Sequence, residues 1–153
     1  EMQELGYNYR IPDMLCALGI SQLQRAEAGL SRRKGIAKVY DKAFENHAGI
    51  KVLGTSPEAF DASGETGHAY HLYVIEVADR KGLYDYLRQH NIFAQVHYIP
   101  AHTMPYYRDL GYKKGDYPAA EGYYAGCLSL PMYPTLTQEE QEFVIEKVKE
   151  FVG

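Results

Sequence analysis

The chain has 153 residues, 46% of them hydrophobic and 24% charged, with a formal net charge of −4. That length suits one domain with a single core, the acidic balance argues against a general nucleic-acid surface, and no apolar run approaches the roughly 20 residues of a membrane span. Cys16 and Cys127 are the only cysteines, with no CxxC spacing and no basic-then-apolar leader pattern, so free thiols in a reducing, cytoplasmic compartment are expected.

Residues 12–48 form a predicted long helical segment. Leu15, Leu18, Leu23, Ala26 and Leu30 recur at helical spacing, and Ile36, Val39, Tyr40, Ala43 and Phe44 continue the stripe. Pro12 and Asp13 suit a first turn, and Gly49 a C-terminal cap. Gly19, Gly29 and Gly35 each weaken a helix by about 1 kcal/mol relative to Ala, so a kink or close packing is predicted near Gly29. Arg32-Arg33-Lys34 is expected to be a solvated face.

Ile50–Leu53 is a short strand candidate, and Gly54–Gly67, rich in Gly, Ser, Pro and acid, is a predicted surface loop. Ala69–Val77, dense in Tyr, Val, Ile and Leu, is the strongest predicted strand. Arg80–His90 is a predicted amphipathic helix with Leu83, Tyr86 and Leu87 inward, and Ile92–Tyr98 returns as a strand. Tyr106–Leu110 is a short helical turn closed by Gly111, Pro118–Cys127 a further helix and Leu128–Leu130 an extended piece. Thr137 and Glu140 make a T-x-x-E capping box for the last helix, whose expected buried face is Phe143, Val144, Val148, Phe151 and Val152. Non-repeating strands between helices of unequal length predict an α+β fold, a small, mostly antiparallel sheet with helices packed on it.

Three constellations could carry chemistry. Gly6-Tyr7-Asn8-Tyr9-Arg10 leads into a helix N-terminus, and free N–H groups, an amide and a guanidinium there suit a phosphate or carboxylate. The alternative is a turn shaped by Asn8 and a surface ion pair at Arg10. Gln95-Val96-His97-Tyr98 is a strand end turning at Pro100, where His97 and Tyr98 either reach a diphosphate or close a sheet edge. His68, His71, His97 and His102 invite a metal, but side chains three apart on a strand face opposite sides and no cysteine or acid falls at ligand spacing. Asp116 and Glu121, beside Tyr117-Pro118, are helix-capping candidates rather than an acid–base pair. Walker, GxGxxG and nucleophile-elbow motifs are absent, and no lysine stands out as a Schiff-base residue.

Taken together, Gly6-Tyr7-Asn8-Tyr9-Arg10, Asp13 and Ala17-Leu18-Gly19-Ile20-Ser21-Gln22-Leu23 resemble the signature of the DegT/DnrJ/EryC1/StrS aminotransferases. His68-Ala69-Tyr70-His71-Leu72-Tyr73, Ala94-Gln95-Val96-His97-Tyr98, Leu128-Ser129-Leu130-Pro131 and Thr137-x-x-Glu140 follow in that family's order. The resemblance implies a fold-type-I pyridoxal 5'-phosphate transferase of which residues 1–153 are the C-terminal small domain. The interdomain helix would lie at about 12–48, and the domain bearing the cofactor lysine would be absent. It further implies that Asn8 reaches the cofactor phosphate of the neighbouring subunit in a homodimer, that Arg10 meets the donor carboxylate, and that His97 and Tyr98 contact the nucleotide-sugar diphosphate. The AQVHY turn is similar to that of the transaminases of pseudaminic acid synthesis. That likeness implies transfer from L-glutamate to C4 of a UDP-linked 4-keto-6-deoxy-HexNAc for glycan biosynthesis, with this piece inactive alone. The alternative is a free-standing module that binds nucleotide-sugars or dimerises without catalysis.

Overall fold

The structure, a computed structural model, describes residue 6 and residues 10–53 and 67–153. Asn8 and most of the Gly54–Gly67 loop lie outside the described residues.

The predicted long helix is two. Helix α1 (Asp13–Leu23) and helix α2 (Ala26–Phe44) part at Gln24-Arg25, where the Arg25 N–H donates to the Gln22 carbonyl at 3.0 Å, a three-residue rather than four-residue step. The break falls ahead of Gly29, which sits inside α2 with room for a side chain beside Pro134. The apolar stripe divides at the same place. Ile36, Ala37, Tyr40 and Phe44 are buried, whereas no residue of α1 is, and Met14, Leu15, Leu18, Ile20 and Leu23 are each more than half exposed. Helix α2 ends at Phe44 rather than near Gly49, and Asn46 takes the left-handed conformation (φ 59°) that follows a helix end. Gly49 instead lies where a Cβ would run into the Val152 side chain, so it serves close packing against the last helix.

Strands β1 (Lys51–Val52), β2 (Tyr73–Glu76) and β3 (Cys127–Leu130) form an antiparallel sheet in that order, with Val52 opposite Ile75 and Tyr73 opposite Leu130. β2 is shorter than its apolar run because Tyr70 adopts φ 47° and turns the chain before it joins the ladder. Side chains alternate across a strand. Tyr73 and Ile75 of β2 and Leu128 and Leu130 of β3 enter the core, leaving Cys127 and Ser129 to the other face of β3, which is buried as well.

Helix α3 (Arg80–Gln89), capped by the Asp79 carboxylate accepting from the Gly82 N–H at 2.9 Å, buries Leu83 and Leu87. Helix α6 (Gln138–Val152) carries the expected capping box, with Thr137 Oγ1 accepting from the Glu140 N–H at 3.1 Å and the Glu140 carboxylate accepting from the Thr137 N–H at 2.9 Å. Its inward face differs from the apolar pattern. Val144 and Val148 are buried, Phe143 is exposed under Lys147, and Gln141 is buried, donating to the Ile36 carbonyl at 2.8 Å. A buried amide is tolerated where it finds such a partner. Each fully buried aliphatic of this core, such as Ile36, Leu83, Leu128 or Val148, contributes about 1.5–3 kcal/mol by leaving water.

The Arg32-Arg33 pair is not a solvated face. Arg32 donates to the Leu136 carbonyl at 2.5 Å, and Arg33 to the Met132 and Tyr70 carbonyls at 2.8 and 3.0 Å, tying α2 to the chain entering β2 and leaving β3. The guanidinium supplies several fixed donors, which suits it to collecting carbonyls left outside the ladder.

Candidate functional site

Residues 92–98 keep the alternation of a strand, with Ile92 and Ala94 buried and Phe93 and Gln95 exposed, but their backbone pairs with the sheet at one residue only. Gln95 pairs with Ser129 through both backbone bonds, at 3.0 and 2.7 Å. Two residues on, and so on the same face, the His97 ring meets the Ser129 hydroxyl, Nδ1 to Oγ 2.9 Å. The Cys127 thiol lies 3.9 Å from the His97 carbonyl and from that of Tyr124, and its burial raises the thiol pKa. The peptide joining His97 to Tyr98 is cis, and the two rings stand edge to face at 4.6 Å. His97 is half-buried and Tyr98 is 69% exposed. The turn therefore displays a tyrosine hydroxyl and one imidazole edge from an anchored base.

Past Pro100 the chain makes a single 3-10 turn, Ala101–Thr103, and short helix α4 (Pro105–Asp109), closed at Gly111 (φ 98°) as its sequence predicts. Helix α5 (Pro118–Gly126) then leads into β3. Between them His102 is buried, its Nε2 2.9 Å from a Glu121 carboxylate oxygen that also accepts from the Gly115 N–H at 2.6 Å. The His102 ring, followed by that backbone N–H, holds the Glu121 carboxyl below its ordinary pKa. Glu121 is thus not a helix cap but the fastening of the 111–117 loop. A pocket of about 340 Å³ opens beside it, lined by His102, Tyr107, Tyr112 and Tyr117.

A larger cleft of about 560 Å³ runs past Asp41, His71, Tyr73 and Tyr123. Burial, and then the 2.7 Å bond to Asp41, raise the Tyr73 hydroxyl pKa, so Tyr73 stays a neutral donor to that carboxylate. His68 lines the same cleft as His71, and its Nδ1 accepts from the Tyr70 N–H at 3.0 Å. Among the described residues no group of three or more His, Cys, Asp or Glu side chains is arranged to hold a metal, and no helix is long and apolar enough to cross a membrane.

Of the residues singled out in the sequence, His97 and Tyr98 are adjacent on one turn. Arg10 is exposed just before α1, and Asn8 lies outside the described residues. Two contacts of this region were not apparent from the sequence. The pairing of His102 with Glu121 spans 19 residues and leaves no local pattern. Ser129 did leave one, as the lone hydroxyl in the otherwise apolar run Cys127-Leu128-Ser129-Leu130.

The sequence profile of the DegT/DnrJ/EryC1/StrS aminotransferase family matches residues 1–149. The spore coat polysaccharide biosynthesis protein SpsC of Bacillus subtilis is 36% identical over 99% of this chain and 39% of its own. The UDP-4-amino-4,6-dideoxy-N-acetyl-beta-L-altrosamine transaminase of Campylobacter jejuni is 32% identical over 97% of this chain and 41% of its own. Among solved structures, Spr1654 of Streptococcus pneumoniae in its PLP form superposes with a TM-score of 0.80 at 30% identity, over 94% of this chain and 37% of that one. The chain spans about two fifths of the length of the curated relatives it matches.

Proposed function

This chain belongs to the DegT/DnrJ/EryC1/StrS aminotransferase family, and from that premise we propose that the whole protein is a pyridoxal-phosphate-dependent sugar aminotransferase of which residues 1–153 form the C-terminal small domain. The observation that carries the reading is the family match along residues 1–149. The substrate proposed is a UDP-linked 4-keto-6-deoxy-HexNAc and the donor L-glutamate, as suggested by the likeness to the Campylobacter transaminase. The same reading has the enzyme work in the cytoplasm as a homodimer, in glycan biosynthesis.

Pyridoxal 5'-phosphate is the coenzyme of this family, and it needs an amine for covalent attachment. Lys51, Lys81 and Lys147 are paired with carboxylates, Lys42 lines a hollow beside Asp41 and Glu45, and no lysine lines the cleft at Tyr73, the hollow on α2 beside Ala69 and Pro134, or the tyrosine-lined pocket. On this reading the described residues do not by themselves form the coenzyme's site. In this reading the lysine comes from sequence outside them, and Asn8 adds a donor to the coenzyme phosphate across the dimer. The exposed helix α1, apolar around its circumference, supports an interdomain role, because a helix of that kind belongs in a protein interior.

This chain's own contribution is to hold the substrates. Arg10 takes the donor carboxylate with its fork of N–H groups. The Tyr98 hydroxyl and the free edge of His97 offer donors to the diphosphate, which orients the sugar without touching the reacting carbon. The test is steady-state kinetics of the full-length protein. His97→Gln and Tyr98→Phe raise KM for the nucleotide-sugar and leave KM for L-glutamate unchanged, while Arg10→Ala does the reverse. Equal effects of all three on both substrates would remove the assignment.

A further inference from the structure

Ser129 is buried on β3, and its backbone groups are both used by Gln95, so its hydroxyl must find a partner of its own. Among the described residues it has one, the Nδ1 of His97 at 2.9 Å. A neutral imidazole carries one proton and can meet that hydroxyl in two ways. If Nδ1 held the proton and donated to Oγ, the buried hydroxyl hydrogen would have no acceptor, a condition that folded proteins avoid. If the hydroxyl donates to Nδ1, both groups are satisfied and the ring proton sits on Nε2. Nε2 has no partner among the described residues, and the ring is half-buried beside the exposed Tyr98.

We infer that Ser129 is a positioning residue that locks His97 as its Nε2–H tautomer, so that the turn offers a hydrogen-bond donor, not an acceptor, to an anionic ligand. A phosphate ester accepts hydrogen bonds and offers none at neutral pH, so a locked donor edge selects for it and against ligands that must donate there. The Cys127 thiol on the His97 carbonyl and the Gln95–Ser129 bridge hold the backbone on either side of the ring's anchor, which leaves the hydroxyl to set the proton. The functional half of this inference rests on the assignment of His97 to the diphosphate; the tautomer does not.

The test is 15N NMR of the full-length protein with labelled histidine, using His97→Gln to assign the signals and a pH series to reach the neutral ring. The expected result is a bare Nδ1 and a protonated Nε2 for His97; a neutral ring protonated on Nδ1 overturns the inference. Ser129→Ala should then raise KM for the nucleotide-sugar about three- to tenfold, the range of one ordinary hydrogen bond, with kcat and the L-glutamate KM within about twofold. If His97→Gln leaves the nucleotide-sugar KM unchanged, the diphosphate assignment fails whatever the tautomer. If His97→Gln raises it and Ser129→Ala does not, the Ser129 inference fails alone. Should Ser129→Ala not fold, the tautomer in the unmodified protein decides.

Discussion

Replacing Arg33 with alanine should cost considerably more stability than an ordinary surface substitution. One guanidinium nitrogen faces the carbonyls of Met132 at 2.8 Å, Tyr70 at 3.0 Å and His71 at 3.4 Å. That nitrogen has two hydrogens, so two bonds are well made and the third is a weak share. Hydrogen bonds to a charged group are worth about 1.5–3 kcal/mol each, and partial exposure of this site brings the sum for the pair to about 2–3 kcal/mol. The loss also removes one support from Tyr70, whose backbone sits at φ 47°. Urea denaturation followed by far-UV circular dichroism reads the change directly. Arg33→Lys should recover less than half, because a single ammonium cannot span the Tyr70 and Met132 carbonyls with the same rigid geometry. A loss below about 0.5 kcal/mol for Arg33→Ala, the usual range of a surface substitution, would refute the claim that this side chain ties α2 to both segments.

Thr137→Ala removes the acceptor for the Glu140 N–H at the start of α6 and should cost about 1 kcal/mol in the same assay, with Thr137→Ser nearly neutral. Gly49→Ala places a methyl group against Val152 and should destabilise by about 1–3 kcal/mol; adding Val152→Ala should return part of that loss, and a strictly additive pair would contradict the contact. Glu121, held below its ordinary pKa by His102 and then by the Gly115 N–H, contributes stability that is present above the unfolded glutamate pKa of about 4.3 and is lost as the pH falls through the lower folded value. Thermal melts from neutral to acid pH should therefore decline less steeply for Glu121→Gln than for the unmodified protein.

Local rules carried most of the fold. The T-x-x-E capping box, Gly111 after a short helix, and Leu83 with Leu87 on α3 need only their neighbours in sequence, and each lies where its pattern puts it. What failed needed information from elsewhere. The stripe through Leu15, Leu18 and Leu23 has the spacing of a core helix, yet nothing among the described residues covers it. Periodicity reports that a face will be buried but not by what. The α1–α2 break at Gln24-Arg25 has no glycine or proline to mark it. Gln141 is buried although polar because the Ile36 carbonyl, 105 residues away, comes to meet it, and Phe143 beside it is left outside. At the site, His97 and Tyr98 were legible as a turn after an alternating segment. Their anchor at Ser129 was hidden by sequence distance and showed only as a hydroxyl out of place in an apolar strand.

The most direct measurement follows nitrogen. The full-length protein that contains this chain, loaded with pyridoxal 5'-phosphate, would be incubated with 15N-labelled L-glutamate and a UDP-linked 4-keto-6-deoxy-HexNAc, and the sugar nucleotide analysed by mass spectrometry. A 15N-amino sugar formed in equal amount to 2-oxoglutarate is expected, with a higher KM for the keto-sugar when His97 is changed to Gln. A protein that binds nucleotide-sugar but transfers no label from L-glutamate to this or any other nucleotide-linked keto-sugar would contradict the proposed function.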